Sequence, residues 1–101
     1  MNPEQLAYRP EIYRIRDGIR LELKEMEMAE DDFREAIELS RKMSAKSWEL
    51  RATTSLARLL DKQGRRDEAR SMLAEIYGWF TEGFDTADLK EAKALLDELA
   101  Q

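Results

Sequence analysis

The sequence predicts an all-α protein of antiparallel helix hairpins, two pairs of them, closed by a C-terminal capping helix. Three observations carry that expectation. Apolar residues recur at three- and four-residue steps through most of the chain, which is the helical period, and almost nothing alternates as a strand would. One spacing occurs twice, as Ala29, Phe33, Ala36 and again as Ala69, Leu73, Ile76, each on what reads as the second helix of a pair. The connections are short, and short connections make neighbouring helices antiparallel. Together these features describe an array of helical repeats in a chain of 101 residues, long enough for one domain and one modest core.

Five helices are expected in order, after a leader over residues 1–9. The first runs from about Pro10, whose missing N–H costs nothing at a helix start, to Glu25, with Ile12, Ile15, Ile19, Leu23 and Met26 on one stripe. The second covers about Met28 to Met43 and groups Ala29, Phe33, Ala36, Ile37 and Met43. Ser47 is the expected N-cap of the third, whose stripe is Trp48, Ala52, Leu56, Leu59 and Leu60, and Gly64 ends it. The fourth starts near Arg66 and carries Ala69, Met72, Leu73, Ile76, Tyr77 and Phe80. Beyond Gly83 the chain turns, Asp85 or Thr86 caps, and Leu89, Ala92, Leu95, Leu96 and Leu99 form the last stripe. Residues 10–43 thus make one repeat, 46–83 a second, and 85–101 the capping helix.

Composition removes several classes of function. Seventeen basic against 22 acidic residues leave a net charge of −5, which disfavours nucleic acid and anionic membrane as partners. The chain has no cysteine, hence no disulfide, thiolate metal site or thiol nucleophile, and no histidine, the commonest general base near neutral pH. Charges at Glu4, Arg9, Glu11 and Arg14 interrupt any signal core or membrane span, so a cytoplasmic protein is expected. No phosphate-binding GxxxxGK[ST] loop is present, and no nucleophile with a base, metal set or cofactor site can be assembled. A non-catalytic chain is the expectation.

The third and fourth helices carry a more specific pattern. Leu56, Ala57, Leu60, Gly64, Ala69, Leu73 and Ile76 place small residues where two helices cross, large ones beside them, and glycine in the turn. This pattern resembles the tetratricopeptide repeat, and the resemblance implies a fragment of a right-handed α-solenoid that binds proteins. The first pair fits less well, because Asp17 or Gly18 and Arg20 or Leu21 stand at first-helix positions, and its 40-residue offset from the second exceeds the usual ~34. A second similarity covers Ala45 to Ala100, through SWELRATTSLARLL, QGRRDEAR and YGWFTEGFDTADLKEAKALLDEL. These runs resemble the C-terminal end of the helical-repeat region in large bacterial signalling proteins that couple a nucleotide-cyclase or regulatory head to an NTPase. That likeness implies a scaffolding or regulatory piece.

Three groups of side chains invite a functional reading. Glu25, Glu27, Glu30, Asp31 and Asp32 suggest a cation site, but their spacing is not that of a calcium loop and negative charge at a helix start is stabilising in itself. Between Arg41 and Arg70 stand nine basic residues against four acidic ones. Within that stretch Arg51, Thr54, Ser55, Arg58 and Lys62 recur on one side of the third helix, and Arg14 of the first could join them. Tetratricopeptide arrays grip extended peptides along their concave side, and clustered arginines suit carboxylates. The expectation is a groove for an acidic peptide or partner face, against the plainer reading of a solvated surface neutralised by nearby Asp and Glu. The aromatic group Tyr77, Trp79, Phe80 and Phe84 reads as glue between the fourth helix and the cap. Its alternative is a small-molecule sensor site near Trp79 and Phe84. Arrays of two pairs bury little surface, so the isoleucine face of the first helix predicts a homodimer through the N-terminal pair.

Overall fold

The computed structural model describes residues 11–101, with side chains from Glu22 onward. Four helices follow one another: α1 (Glu11–Lys42), α2 (Lys46–Lys62), α3 (Arg66–Tyr77) and α4 (Ala87–Leu99), with no strand among the described residues. The first two expected helices are therefore a single helix of 32 residues, about 48 Å long. The segment joining them, Glu22 to Asp31, is Glu, Leu, Lys, Met and Ala with one Asp, and holds neither glycine nor proline. Nothing in it stops a helix. No described helix is long and apolar enough to cross a membrane.

The two tight reversals share one geometry. Gly64 has a φ of +78°, its N–H donates to the Asp61 carbonyl (3.0 Å), and the next N–H, of Arg65, donates to the Leu60 carbonyl (2.8 Å). At the α1–α2 turn Ser44 has a φ of +55°, donates from its N–H to Arg41 (3.1 Å), and Ala45 donates to Ser40 (2.9 Å). Both are left-handed C-terminal caps that satisfy the last carbonyls of a helix. Serine hides the first of them in the sequence. Ser44→Gly should raise stability by about 0.5 kcal/mol in chemical denaturation, since relief of ~1–2 kcal/mol of left-handed strain exceeds the ~0.5–1 kcal/mol of added chain entropy. Gly64→Ala should lower stability by ~1–2 kcal/mol, although a methyl there meets nothing within 4 Å.

Helix α2 is the centre of the fold and packs against each of the other three. Its own Leu50, Leu56 and Leu60, with Leu73 of α3, are the largest fully buried side chains, and Ala57, Ala69 and Ala92 are wholly buried as well. The small residues stand where α2, α3 and α4 must approach closely. The stripe expected on α2 is rotated: Glu49, Leu50, Thr53 and Thr54 are buried, whereas Trp48 is 57% exposed. On α1, Ile37 and Ser40 are buried, Phe33 is half-buried and Ala36 is exposed, and Met43 just beyond the helix is exposed as well. One cause explains both departures. A straight α1 supplies no folded-back helix to cover the side of α2 that Trp48 occupies.

One cap differs from expectation and one agrees with it. Ala45, not Ser47, is the N-cap of α2. Thr86 is that of α4, in extended conformation and without a side-chain hydrogen bond. Leu89, Ala92, Leu95 and Leu99 of α4 are buried as the sequence stripe requires, and Arg66 at the start of α3 donates to the Glu98 carbonyl near the end of α4.

A closed ring of charge ties α1 to the α2–α3 turn. Arg34 bonds Glu30 and Glu68, and Arg65 bonds the same two carboxylates, at 2.7–3.0 Å. Burial pushes the Glu30 carboxyl up, but the hydrogen bonds and charges of Arg34 and Arg65 outweigh it and hold the group below its usual range. Because the folded value lies under the unfolded one, this stabilisation is complete above about pH 4.5 and is lost as pH falls through the folded value. Glu30→Gln should cost about 1 kcal/mol at pH 7 and flatten the acid limb of a stability–pH curve below pH ~4.5. The acidic cluster around Glu30 lies within α1, so the dipole at a helix start does not explain it. Its central member is an ion-pair partner.

Candidate functional site

The expected site residues lie on α2, and the face they share is formed with α4. Arg51 and Arg58 are seven residues apart, two turns on one side of the helix. Arg51 pairs with Asp88 at 2.8 Å and Arg58 pairs with Glu91, both carboxylates belonging to α4. The two arginine side chains stay 63% and 48% exposed. Ser55 is half-buried between them and Lys62 is exposed at the end of the row. Thr54 is different: it is 4% exposed and its hydroxyl donates to the Leu50 carbonyl at 2.8 Å, so it faces the core. Arg14 falls on α1, and its side chain lies outside the described residues.

The basic excess of the sequence is largely neutralised in space. Of the nine cations between Arg41 and Arg70, seven pair with a carboxylate, and only Lys42 and Lys62 have none among the described residues. Asp88 and Glu91 of the capping helix are the counter-charges of the two arginines. Sequence periodicity cannot reveal this, because it specifies which side of a helix a residue occupies and not which helix lies opposite. The surface is a row of exposed ion pairs, each contributing little in water.

Two concave regions flank this row. Between α1 and α2 lies an apolar groove of about 370 Å³, walled by Phe33, Ala36, Leu39, Trp48 and Ala52, with Arg51 at its edge. Between α2 and α3 lies a cavity of about 300 Å³ lined by Glu49, Thr53, Met72, Ile76 and Trp79, with Arg41 and Lys46 beside them. Glu49 is buried, held by Arg41 at 3.2 Å and Lys46 at 3.3 Å, and Lys46 also sits 5.4 Å from the Trp79 ring centre. The sequence reading missed Glu49; its spacing of three from Lys46 was the available signal.

The aromatic group divides. Trp79 meets Phe80 edge to face at 5.1 Å beside the cavity, whereas Phe84 packs on Tyr77 at 5.7 Å. Phe84 is not among the residues that wall the cavity. Among the described residues no three Asp or Glu side chains converge on a metal position.

The tetratricopeptide repeat family model matches residues 27–79, slightly more than half of the chain. The match begins within α1 and ends just after α3. Comparison with curated proteins and with solved structures returns no match.

Proposed function

The chain belongs to the tetratricopeptide repeat family, and from that premise we propose that it is a non-catalytic protein–protein interaction module whose α2–α4 face takes an acidic peptide or the acidic face of a partner. Tetratricopeptide repeats generally mediate protein–protein interaction and are typically non-catalytic. The observation that carries the acidic preference is the pair Arg51 and Arg58, side by side and half exposed, each already holding a carboxylate. Asp88 and Glu91 occupy the positions that a partner's acidic groups would take. Arg51, Arg58 and Lys62 then supply the contacts, Arg14 is a candidate from α1, and Thr54 supports α2 from the core side. The wider setting we propose, a scaffold or regulatory piece of bacterial signalling in the cytoplasm, rests on the sequence resemblance of residues 45–100 alone, with a cysteine-free composition that suits it.

Binding of a labelled acidic peptide with a free C-terminal carboxylate, followed by fluorescence anisotropy, tests the reading. Arg51→Glu with Arg58→Glu should weaken capture at least about ten-fold, equivalent to ~1.4 kcal/mol. Asp88→Asn with Glu91→Gln should strengthen it a few-fold by removing the internal competitors. Equal affinity in all three proteins would end the proposal.

One observation favours a second reading, a small-molecule sensor. Thr53 is 3% exposed, walls the cavity beside Trp79, and makes no side-chain hydrogen bond among the described residues. A buried hydroxyl of this kind has capacity for a ligand's polar group. The site in this reading includes Trp79 and excludes Phe84, and a metabolite screen by thermal shift tests it, with Thr53→Val as the control.

A further inference from the structure

The apolar pattern of α1 does not stop where its packing stops. Counting in sevens, Ile12, Ile15 and Ile19 in the first half share one seam with Met26, Ala29, Phe33 and Ala36 in the second, interrupted only by Glu22. In the second half that seam opens on the α1–α2 groove: Phe33 and Ala36 form its wall, Ala36 is exposed, and Leu39 and Trp48 at its rim are each 57% exposed. In a helix hairpin the preceding helix would lie in such a groove. Here it cannot come from the same chain, because α1 is one uninterrupted helix and its first half leaves along the axis.

We propose that the groove is filled by the first half of α1 from a second copy, the two long helices running antiparallel about a two-fold axis so that each lends residues 11–26 to the other. It goes beyond the acidic-peptide reading, on which it rests only in treating the chain as protein-binding. Three arguments select this occupant. A two-fold interface must be self-complementary, and one antiparallel register of the two helices sets Ile19 beside Ala36 and Met26 beside Ala29, each large with small, at the cost of placing Glu22 beside Phe33. A parallel pair instead sets Phe33 on Phe33 and brings both α2–α4 bodies to the same end, where they compete for space. Charge agrees as well. Residues 11–26 hold four basic and four acidic side chains, so this segment of a chain of net charge −5 approaches its twin without net repulsion.

Light scattering on eluting full-length chain, from low to high micromolar, reads the result. The expected mass is twice the 11.8 kDa of one chain, with a melting temperature that rises with concentration. Ala36→Glu, an exposed position where glutamate suits a helix, should return the single-chain mass with unchanged helical circular dichroism. Because the chain has no cysteine, Ile19→Cys and Ala36→Cys give a clean second measurement that does not depend on the charged variant folding. Mixed and oxidised, the two should cross-link to each other, and Ala36→Cys alone should not. A wild type that stays single at high micromolar, a dimer indifferent to Ala36→Glu, or self-cross-linking of Ala36→Cys overturns the proposal. Arg58→Glu lies on the α4 side and should leave the dimer intact. Lost peptide capture with a retained dimer therefore separates the fate of the two readings.

Discussion

Leu60→Ala is expected to remove about 3–4 kcal/mol of stability, among the largest effects of any single truncation in this chain. Leu60 is wholly buried near the C-terminal end of α2, where the helix that touches every other element meets α3. Cutting it to alanine loses the transfer free energy of three carbons and leaves a void that surrounding helices fill only in part. A domain of about 100 residues has ~5–15 kcal/mol in total, so the variant gives up a large fraction of it. At about 4–8 °C per kcal/mol for a domain of this size, the melting temperature should drop by ~15 °C or more. The adjacent Leu59 provides the contrast. It is half-buried, and Leu59→Ala should cost ~1 kcal/mol or less. Similar losses at the two positions would mean that α2 is rotated from the orientation described.

Ala57→Leu is expected to cost ~3 kcal/mol by the opposite route. Ala57 on α2 and Ala69 on α3 are both fully buried, and a helix crossing at 8–10 Å tolerates only small side chains at its closest point. Three added carbons must push backbones apart or force unfavourable rotamers. α4 also packs on α2, so peptide capture at the Arg51 and Arg58 face is expected to change together with stability. Ala94→Leu on the exposed side of α4 makes the same chemical change where space is free, and it should stay within about 0.5 kcal/mol of wild type. A well-tolerated Ala57→Leu would remove the close crossing on which the repeat architecture depends.

How far each region was legible depended on whether its structure is set by neighbours in sequence or in space. Gly64 announced its reversal because only a residue free of Cβ strain takes that φ readily. Ser44 performs the same reversal unannounced. The stripe of α4 was readable because that helix packs on one side only. The orientation of α2 was not, since a helix contacted by three others has no single apolar face: Glu49, Thr53 and Thr54 are buried at helical steps from Leu56, Ala57 and Leu60, but as polar residues they do not register in an apolar stripe. The candidate site was legible in half. Arg51 and Arg58 share a side of α2 by spacing alone, whereas their carboxylate partners stand 37 and 33 positions further along the chain.

By itself the sequence determined helical character, the turn at Gly64, the capping stripe from Leu89 to Leu99 and the small residues of the repeat, because propensity, capping and period are local properties that survive without knowledge of the rest of the chain. Only the tertiary structure decided that Trp48 and Ala36 border an open groove and that the arginines of α2 answer to the acids of α4. Those outcomes depend on which surfaces remain uncovered once every helix is placed, and long-range placement is not written in any single window of residues.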